Sequence, residues 1–211
     1  MNIVLLNGSP RKNGNTEMGL TRIAASLQKE GIETKLISIG TLLVRGCLAC
    51  GKCAELKNRE CVYTKDDLNS ILPALFNADG VVVGSPVYFS GINGTVKSFM
   101  DRAFYVAGAN GGLMRHKVGA AMAIARRAGT IPAVDQLLKY FTISEMFIPT
   151  GNYWNTLFGL RPGDSAKDEE GLQTLDILGA NMAWLLKAME MAKPKLPLPP
   201  SQIKTPTNYI R

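Results

Sequence analysis

The chain has 211 residues, 46% of them hydrophobic and 19% charged, a balance that supports one ordinary folded domain and excludes a disordered chain. Its 24 Lys and Arg against 17 Asp and Glu give a formal charge of +7, but the basic residues are scattered and no run reads as a nucleic-acid stripe. No apolar stretch approaches a membrane span, and Met1-Asn2 leads into a strand-like run without a basic leader, so the expectation is a cytoplasmic protein with neither nucleic-acid nor membrane partners.

Taken in order, residues 2–7 read as a short buried strand, ending at Gly8. Residues 16–30 read as a helix with Met18, Ile23 and Leu27 on its apolar face, closed by Gly31. Residues 32–39 alternate enough for a half-exposed edge strand. Residues 40–63 look irregular and hold all the cysteines, a loop inserted in the main domain. Thr64-Lys65-Asp66-Asp67 signals a helix start, and the helix should run from Asp66 to Asn77. Gly80–Gly84 is a central buried strand, followed by a strand-to-helix loop over 85–94 and a helix over 95–106. Val118–Ala125 is a strand of small residues that ends at Arg126-Arg127-Ala128-Gly129. A helix over 130–141 carries Pro132 in its first turn. Met146–Pro149 should close the sheet. Residues 151–165 form an excursion with Tyr153, Trp154 and Phe158. The last helix opens at Asp168 and ends near Met191. Residues 193–211 form a Pro-rich tail, expected to lie extended over a surface after a single domain at 1–192.

Five strands alternating with five helices, without an internal repeat, predict an α/β fold: a doubly wound, five-stranded parallel sheet with helices on both faces. Ligands of such sheets sit at the C-terminal ends of the strands. Three loops meet there, over 8–16, 85–94 and 126–130. The first, Asn7-Gly8-Ser9-Pro10-Arg11-Lys12-Asn13-Gly14-Asn15-Thr16, runs from a buried strand into a helix start. Backbone N–H groups, the helix N-terminus, short polar side chains and Arg11 together make an anion cradle suited to phosphate. It is neither a Walker A motif nor a dinucleotide fingerprint. The second loop offers Pro86, Tyr88, Phe89 and Gly91, rigid and aromatic material that can border a flat ring. A phosphate loop facing a ring-binding loop suits FMN better than a dinucleotide. At the third loop, Arg126-Arg127 either stabilises an anionic flavin near N1–C2=O or is surface charge. Tyr153 and Trp154 either cover a neighbouring flavin across an interface or pack in a core. His116, the chain's single histidine, falls in the loop entering the fourth strand, at the end opposite the crevice, and lacks the partners of a triad.

Gly8-Ser9-Pro10-Arg11 with Gly14-Asn15-Thr16, then Gly84-Ser85-Pro86-Val87-Tyr88-Phe89, then Lys97-Ser98-Phe99-Met100-Asp101-Arg102, resemble the NADPH-dependent FMN reductase superfamily. The cysteine cluster resembles its iron–sulfur flavoprotein branch. The resemblance covers the first 150 residues well and the remainder loosely. It implies a flavodoxin-like fold, tightly bound FMN, and a homodimer or tetramer. It also implies that Ser9, Arg11, Asn13, Asn15 and Thr16 hold the phosphate while Pro86, Val87, Tyr88 and Phe89 border the isoalloxazine.

The cysteines are spaced Cys47-x2-Cys50-x2-Cys53-x7-Cys61. Four soft thiolates in one loop suit a 4Fe–4S cluster better than the separated knuckles of structural zinc. Zinc and free, redox-active thiols remain open. Lys52, Lys57 and Arg59 lie inside the loop and would offset a cluster's negative charge. The resulting expectation is an FMN-dependent oxidoreductase, fed by NAD(P)H or a ferredoxin-like protein. The alternatives are a cluster-free NAD(P)H-dependent FMN or quinone reductase and a non-catalytic thiol redox sensor.

Overall fold

The computed structural model describes residues 1–202, 205 and 207 of the chain. Its centre is a parallel sheet. Strand β1 (Asn2–Asn7) has β2 (Glu33–Ser38) on one side and β3 (Gly80–Tyr88) on the other. Beyond β3 come β5 (Val118–Ala125) and then β6 (Thr156–Phe158), giving the order β2-β1-β3-β5-β6. A two-residue strand β4 (Gly91–Ile92) folds back antiparallel on the end of β3.

The strand residues alternate between two cores, as a period of two requires. Val4, Leu6, Val81, Val83 and Ala121 face α3 (Leu68–Asn77), α4 (Gly94–Ala109) and α5 (Thr130–Ile143). Ile3, Leu5, Val82, Ala120 and Met122 face α1 (Asn15–Lys29) and α6 (Glu169–Ala192). Each fully buried Leu, Ile or Phe in these layers contributes about 1.5–3 kcal/mol relative to an exposed one. Half-buried Lys117 donates to the carbonyls of Phe76 and Ala78 at the end of α3, where the helix dipole favours a cation. Burial pushes its pKa down despite nearby Asp79. Among the described residues no helix is long and apolar enough to cross a membrane.

Several elements differ from the sequence-based expectation. β3 continues through Ser85-Pro86-Val87-Tyr88, so the expected 85–94 loop is a strand end plus a hairpin. Met146–Pro149 does not close the sheet. Phe147 makes one bridge to Val118, and the edge strand is β6, inside the segment expected to be an irregular excursion. The cysteine loop contains a short helix, α2 (Lys52–Leu56). α3 begins at Leu68 rather than Asp66, with Asp67 at its N-cap and the Asp66 carboxylate accepting from the Leu68 amide and pairing with Arg102. In the tail, Arg115 donates to the carbonyls of Pro199 and Pro200. Its final part, residues 203, 204, 206 and 208–211, lies outside the described residues.

Candidate functional site

The sheet register puts three chain ends at one edge. Asn7 pairs with Gly84, and Gly84 with Met122, so β1 ends first while β3 and β5 run four and three residues beyond that level. β6 pairs Phe158 with Ala125, which brings the segment after it to the same place. A cleft lined by four chain segments opens there. Ser9, Arg11, Gly14, Asn15 and Thr16 form one wall, and Pro86, Val87 and Tyr88 form another. Ile124, Ala125 and Arg126 form the floor, and Gly159, Leu160 and Pro162 the remaining side.

The first wall is held from below. The Gly8 amide donates to the Gly84 carbonyl at 2.8 Å, and the Ser9 amide to the Asn7 side chain at 3.0 Å. The Arg11 amide donates to Ser9 Oγ at 3.2 Å. Gly14 caps α1 in an extended conformation and supplies no side-chain acceptor, so no side chain caps the first-turn N–H groups of α1. Such a terminus attracts an anion. Thr16 is buried beside it.

Two of the expected phosphate residues sit differently. Asn13 is exposed, lies outside the cleft lining, and takes a left-handed conformation at φ 50°. Its amide donates to the Glu17 carboxylate at 3.1 Å. Asn15 does line the cleft, but its side chain is already used. It donates to the Arg161 carbonyl and accepts from the Gly163 amide, both at 3.0 Å, and so ties the 159–165 segment to α1. Arg11 reaches the same segment through the Leu160 carbonyl at 3.3 Å.

The second wall is rigid because it is strand. Beyond Tyr88 the chain reverses through Phe89 and Ser90, both left-handed at φ 50° and 61°, as a tight hairpin requires. The reversal turns Phe89 fully into solvent, outside the cleft lining, whereas the half-exposed Tyr88 ring stays in it. Asn93, buried at the start of α4, joins the two walls. Its Oδ1 accepts from the Val96 amide at 2.8 Å, and its Nδ2 donates to the Gly8 carbonyl. Of the paired arginines, only Arg126 lines the cleft. Tyr153 and Trp154 pack edge-to-face at 4.5 Å and remain more than half exposed, so they are not core residues. His116 stacks on Phe147 at 5.5 Å, at the opposite end of the sheet from the cleft.

Sequence reasoning missed Asn93 and the 159–162 side. The signal for the latter was the turn-rich run Gly159 to Asp164. Asp164 accepts from the amides of Leu160 and Arg161, and these backbone bonds, Arg161's foremost, hold its carboxyl below the usual range.

All four cysteines line one second pocket against α4. Cys47 and Cys50 are exposed, Cys61 is partly buried, and Cys53 is buried in α2, where burial pushes its thiol pKa up. The Ala49 amide donates to Cys47 Sγ at 3.4 Å. Among the described residues no three His, Cys, Asp or Glu side chains converge at metal-binding distance. The donor set nonetheless fits a thiophilic centre: four sulfurs share one cavity whose lining holds no carboxylate or imidazole.

The cations on this cavity are Arg45 and Arg102, in place of the expected Lys52, Lys57 and Arg59. Lys52 pairs with Glu55, and Arg59 reaches Asn77 and Asn110. The loop leaves the sheet at the cleft edge, but its cavity uses Arg102, Tyr105 and Val106 of α4. These lie roughly 12–18 Å along the helix from its start.

A parallel sheet in this order, with an uncapped helix terminus facing a rigid strand end across the switch point, defines a flavodoxin-like protein. Solved structures agree on the fold. A WrbA-like flavodoxin from Agrobacterium tumefaciens superposes with a TM-score of 0.63 at 15% identity, over 89% of this chain and 98% of that one. RosB with bound 8-demethyl-8-formylriboflavin-5'-phosphate gives 0.69 at 15% identity, over 100% and 94%. The model of the NADPH-dependent FMN reductase family matches residues 1–159. An iron-sulfur flavoprotein of Methanocaldococcus jannaschii is 34% identical over 197 residues, covering 90% of this chain and all of that one. Another, from Archaeoglobus fulgidus, is 31% identical over 201 residues, covering 89% and 98%. The chain therefore belongs to the NADPH-dependent FMN reductase family, a family of flavin oxidoreductases, and its curated relatives are named iron-sulfur flavoproteins.

Proposed function

We propose that the protein is an FMN-dependent oxidoreductase that also carries a 4Fe–4S cluster on Cys47, Cys50, Cys53 and Cys61. The observation that carries the flavin reading is the cleft itself. An uncapped α1 terminus, Ser9, Thr16 and Arg11 stand across from Pro86, Val87 and Tyr88, with Arg126 on the floor. When bound, FMN supplies hydride and single-electron chemistry.

The protein's own residues do the rest. The α1 amides, with the Ser9 and Thr16 hydroxyls, bind the phosphate, and Arg11 adds charge. Asn15 contributes its backbone amide, since its side chain holds the 159–165 segment. Pro86, Val87 and Tyr88 border the ring, and Arg126 offers a cation to its electron-rich edge. Asn13 and Phe89 stand outside this set.

The cluster reading rests on four thiols sharing one cavity and on the names of the relatives. Electrons come from NAD(P)H or a ferredoxin-like donor. Phe89, Tyr153 and Trp154 are exposed aromatic surface suited to a second copy of the chain, so a homodimer or tetramer is part of the proposal.

The test is flavin titration of the apoprotein. FMN should bind, and riboflavin, which lacks the phosphate, should bind at least tenfold more weakly. Thr16→Ala should weaken FMN and leave riboflavin nearly unchanged. Equal affinity for FMN and riboflavin would remove the phosphate cradle.

A further inference from the structure

The segment between β2 and α3 carries the cysteines on two limbs, one containing Cys47 and Cys50 and the other Cys61. Among the described residues, no backbone hydrogen bond joins residues 43–51 to residues 59–66. Something other than a ladder must bring the limbs together.

Arg102, on α4, does so. Its side chain is 2% exposed. One terminal nitrogen donates to the Asp66 carboxylate and, at 3.4 Å, to the Arg45 carbonyl. The other donates to the Tyr63 carbonyl at 3.1 Å. The Arg45 amide in turn donates to Asp66 at 3.4 Å, closing the ring of contacts. The Tyr63 ring lies near both guanidiniums, 5.1 Å from Arg45 and 5.4 Å from Arg102. Arg45 precedes Cys47 by two residues, and Tyr63 follows Cys61 by two. The same guanidinium lines the cysteine cavity. A planar five-donor group can hold three acceptors at fixed angles, and an ammonium cannot.

Resting on the cluster reading above, we propose that Arg102 is the positioning residue of the cysteine site, clamping both limbs onto α4 and setting a buried positive charge on the cavity wall. Asp66 serves as its counter-charge and as the brace of both limbs. Burial disfavours the Arg102 charge, but Asp66 and the Cys61 sulfur outweigh it and hold its pKa above the ordinary arginine value.

A positive charge beside a cluster favours the more negative reduced form and raises its potential. Removing the counter-charge while keeping the shape should therefore shift the potential upward. A cluster held away from the Arg102–Asp66 pair would show no such shift, and an ion pair that only supports the fold predicts no joint loosening of the two cysteine limbs.

The test uses the full chain purified without oxygen, with R102K and D66N. In cluster-free R102K, hydrogen exchange should rise together in 43–50 and 59–66 and stay at the parent level in 2–16 and 80–93. After reconstitution with iron and sulfide, R102K should hold at most half the parent's iron per chain, with FMN content unchanged. D66N should keep its iron and show a more positive cluster potential than the parent, with the flavin potential unmoved. Unchanged exchange in both limbs of R102K, or a rise spread evenly over the chain, would overturn the clamp, as would an unmoved potential in D66N. If R102K does not fold, the D66N potential decides. If the parent takes up no iron, the cluster reading fails, and the exchange measurement alone decides whether Arg102 holds the loop.

Discussion

Asn93→Ala tests whether the two walls of the cleft are one mechanical unit. The Asn93 side chain is buried and makes two bonds, accepting from the Val96 amide at the start of α4 and donating to the Gly8 carbonyl. Loss of the helix cap costs about 1 kcal/mol. Leaving the buried Gly8 carbonyl without this donor costs about 1–3 kcal/mol more. The sum is roughly 2–4 kcal/mol, which in a chain of this size lowers the melting temperature by roughly 5–15 °C. Because the Gly8 carbonyl belongs to the anion loop, FMN affinity should fall as well. Asn93→Asp separates the two contributions. It retains the cap acceptor and sets a carboxylate against the Gly8 carbonyl, so α4 should persist while FMN binding weakens. Thermal denaturation and flavin fluorescence titration read both effects. A melting temperature within about 1 °C of the parent for Asn93→Ala, or parent-like FMN affinity for Asn93→Asp, would refute the coupling.

Contacts at Gly40, Tyr140 and Asn15 give three other outcomes. A Cβ on Gly40 would stand 2.3 Å from the Ser9 carbonyl carbon and 2.4 Å from the carbonyl oxygens of Gly8 and Ser9. Gly40→Ala should displace the anion loop and weaken FMN binding about tenfold or more, since packed backbone cannot yield cheaply; parent-like affinity in a titration would contradict this. Tyr140 is pushed up to about 12 by burial and by its bond to Asp101. Its folded pKa lies above the unfolded value of about 10, so its contribution is complete below pH 10 and is lost as the pH rises toward 12. Denaturation at stepped pH should show that loss in the parent and a smaller one in Tyr140→Phe; identical slopes would contradict the assignment. Asn15→Ala should loosen the 159–165 segment, seen as faster hydrogen exchange there, at a cost of about 1–3 kcal/mol, and unchanged exchange would place that tie elsewhere.

What the sequence revealed and what it hid have physical reasons. β1, α1 and β5 were readable because their apolar periodicity is local, and so was the strand–loop–helix course of residues 2–29, where Gly and short polar residues separate two apolar runs. The end of β3 was not readable, because Ser85-Pro86 looks like a turn. In the fold, Pro86 sits where β3 pairs with β5, and the reversal waits until Phe89-Ser90. β6 was hidden because three residues carry no period, and its pairing with β5 is set by the tertiary fold. Asn15 was rightly placed at the cleft, yet its side chain turned inward to a segment almost 150 positions away in sequence. Arg102 fell within the recognisable helix run beginning at Lys97, but nothing local ties it to cysteines some 40 to 55 positions earlier. Lys52 and Arg59, inside the loop, drew attention, but their side chains pair with Glu55 and Asn77.

On the proposed function, one chain carries FMN in the sheet-edge cleft and a 4Fe–4S cluster on the cysteine loop. Protein purified without oxygen and then denatured should release one FMN per chain and contain about four iron atoms with matching acid-labile sulfide. Cys50→Ser should lose the iron and sulfide and retain the flavin. Flavin without iron or sulfide, even after anaerobic reconstitution, would contradict the cluster, and released FAD or no flavin at all would contradict the cleft.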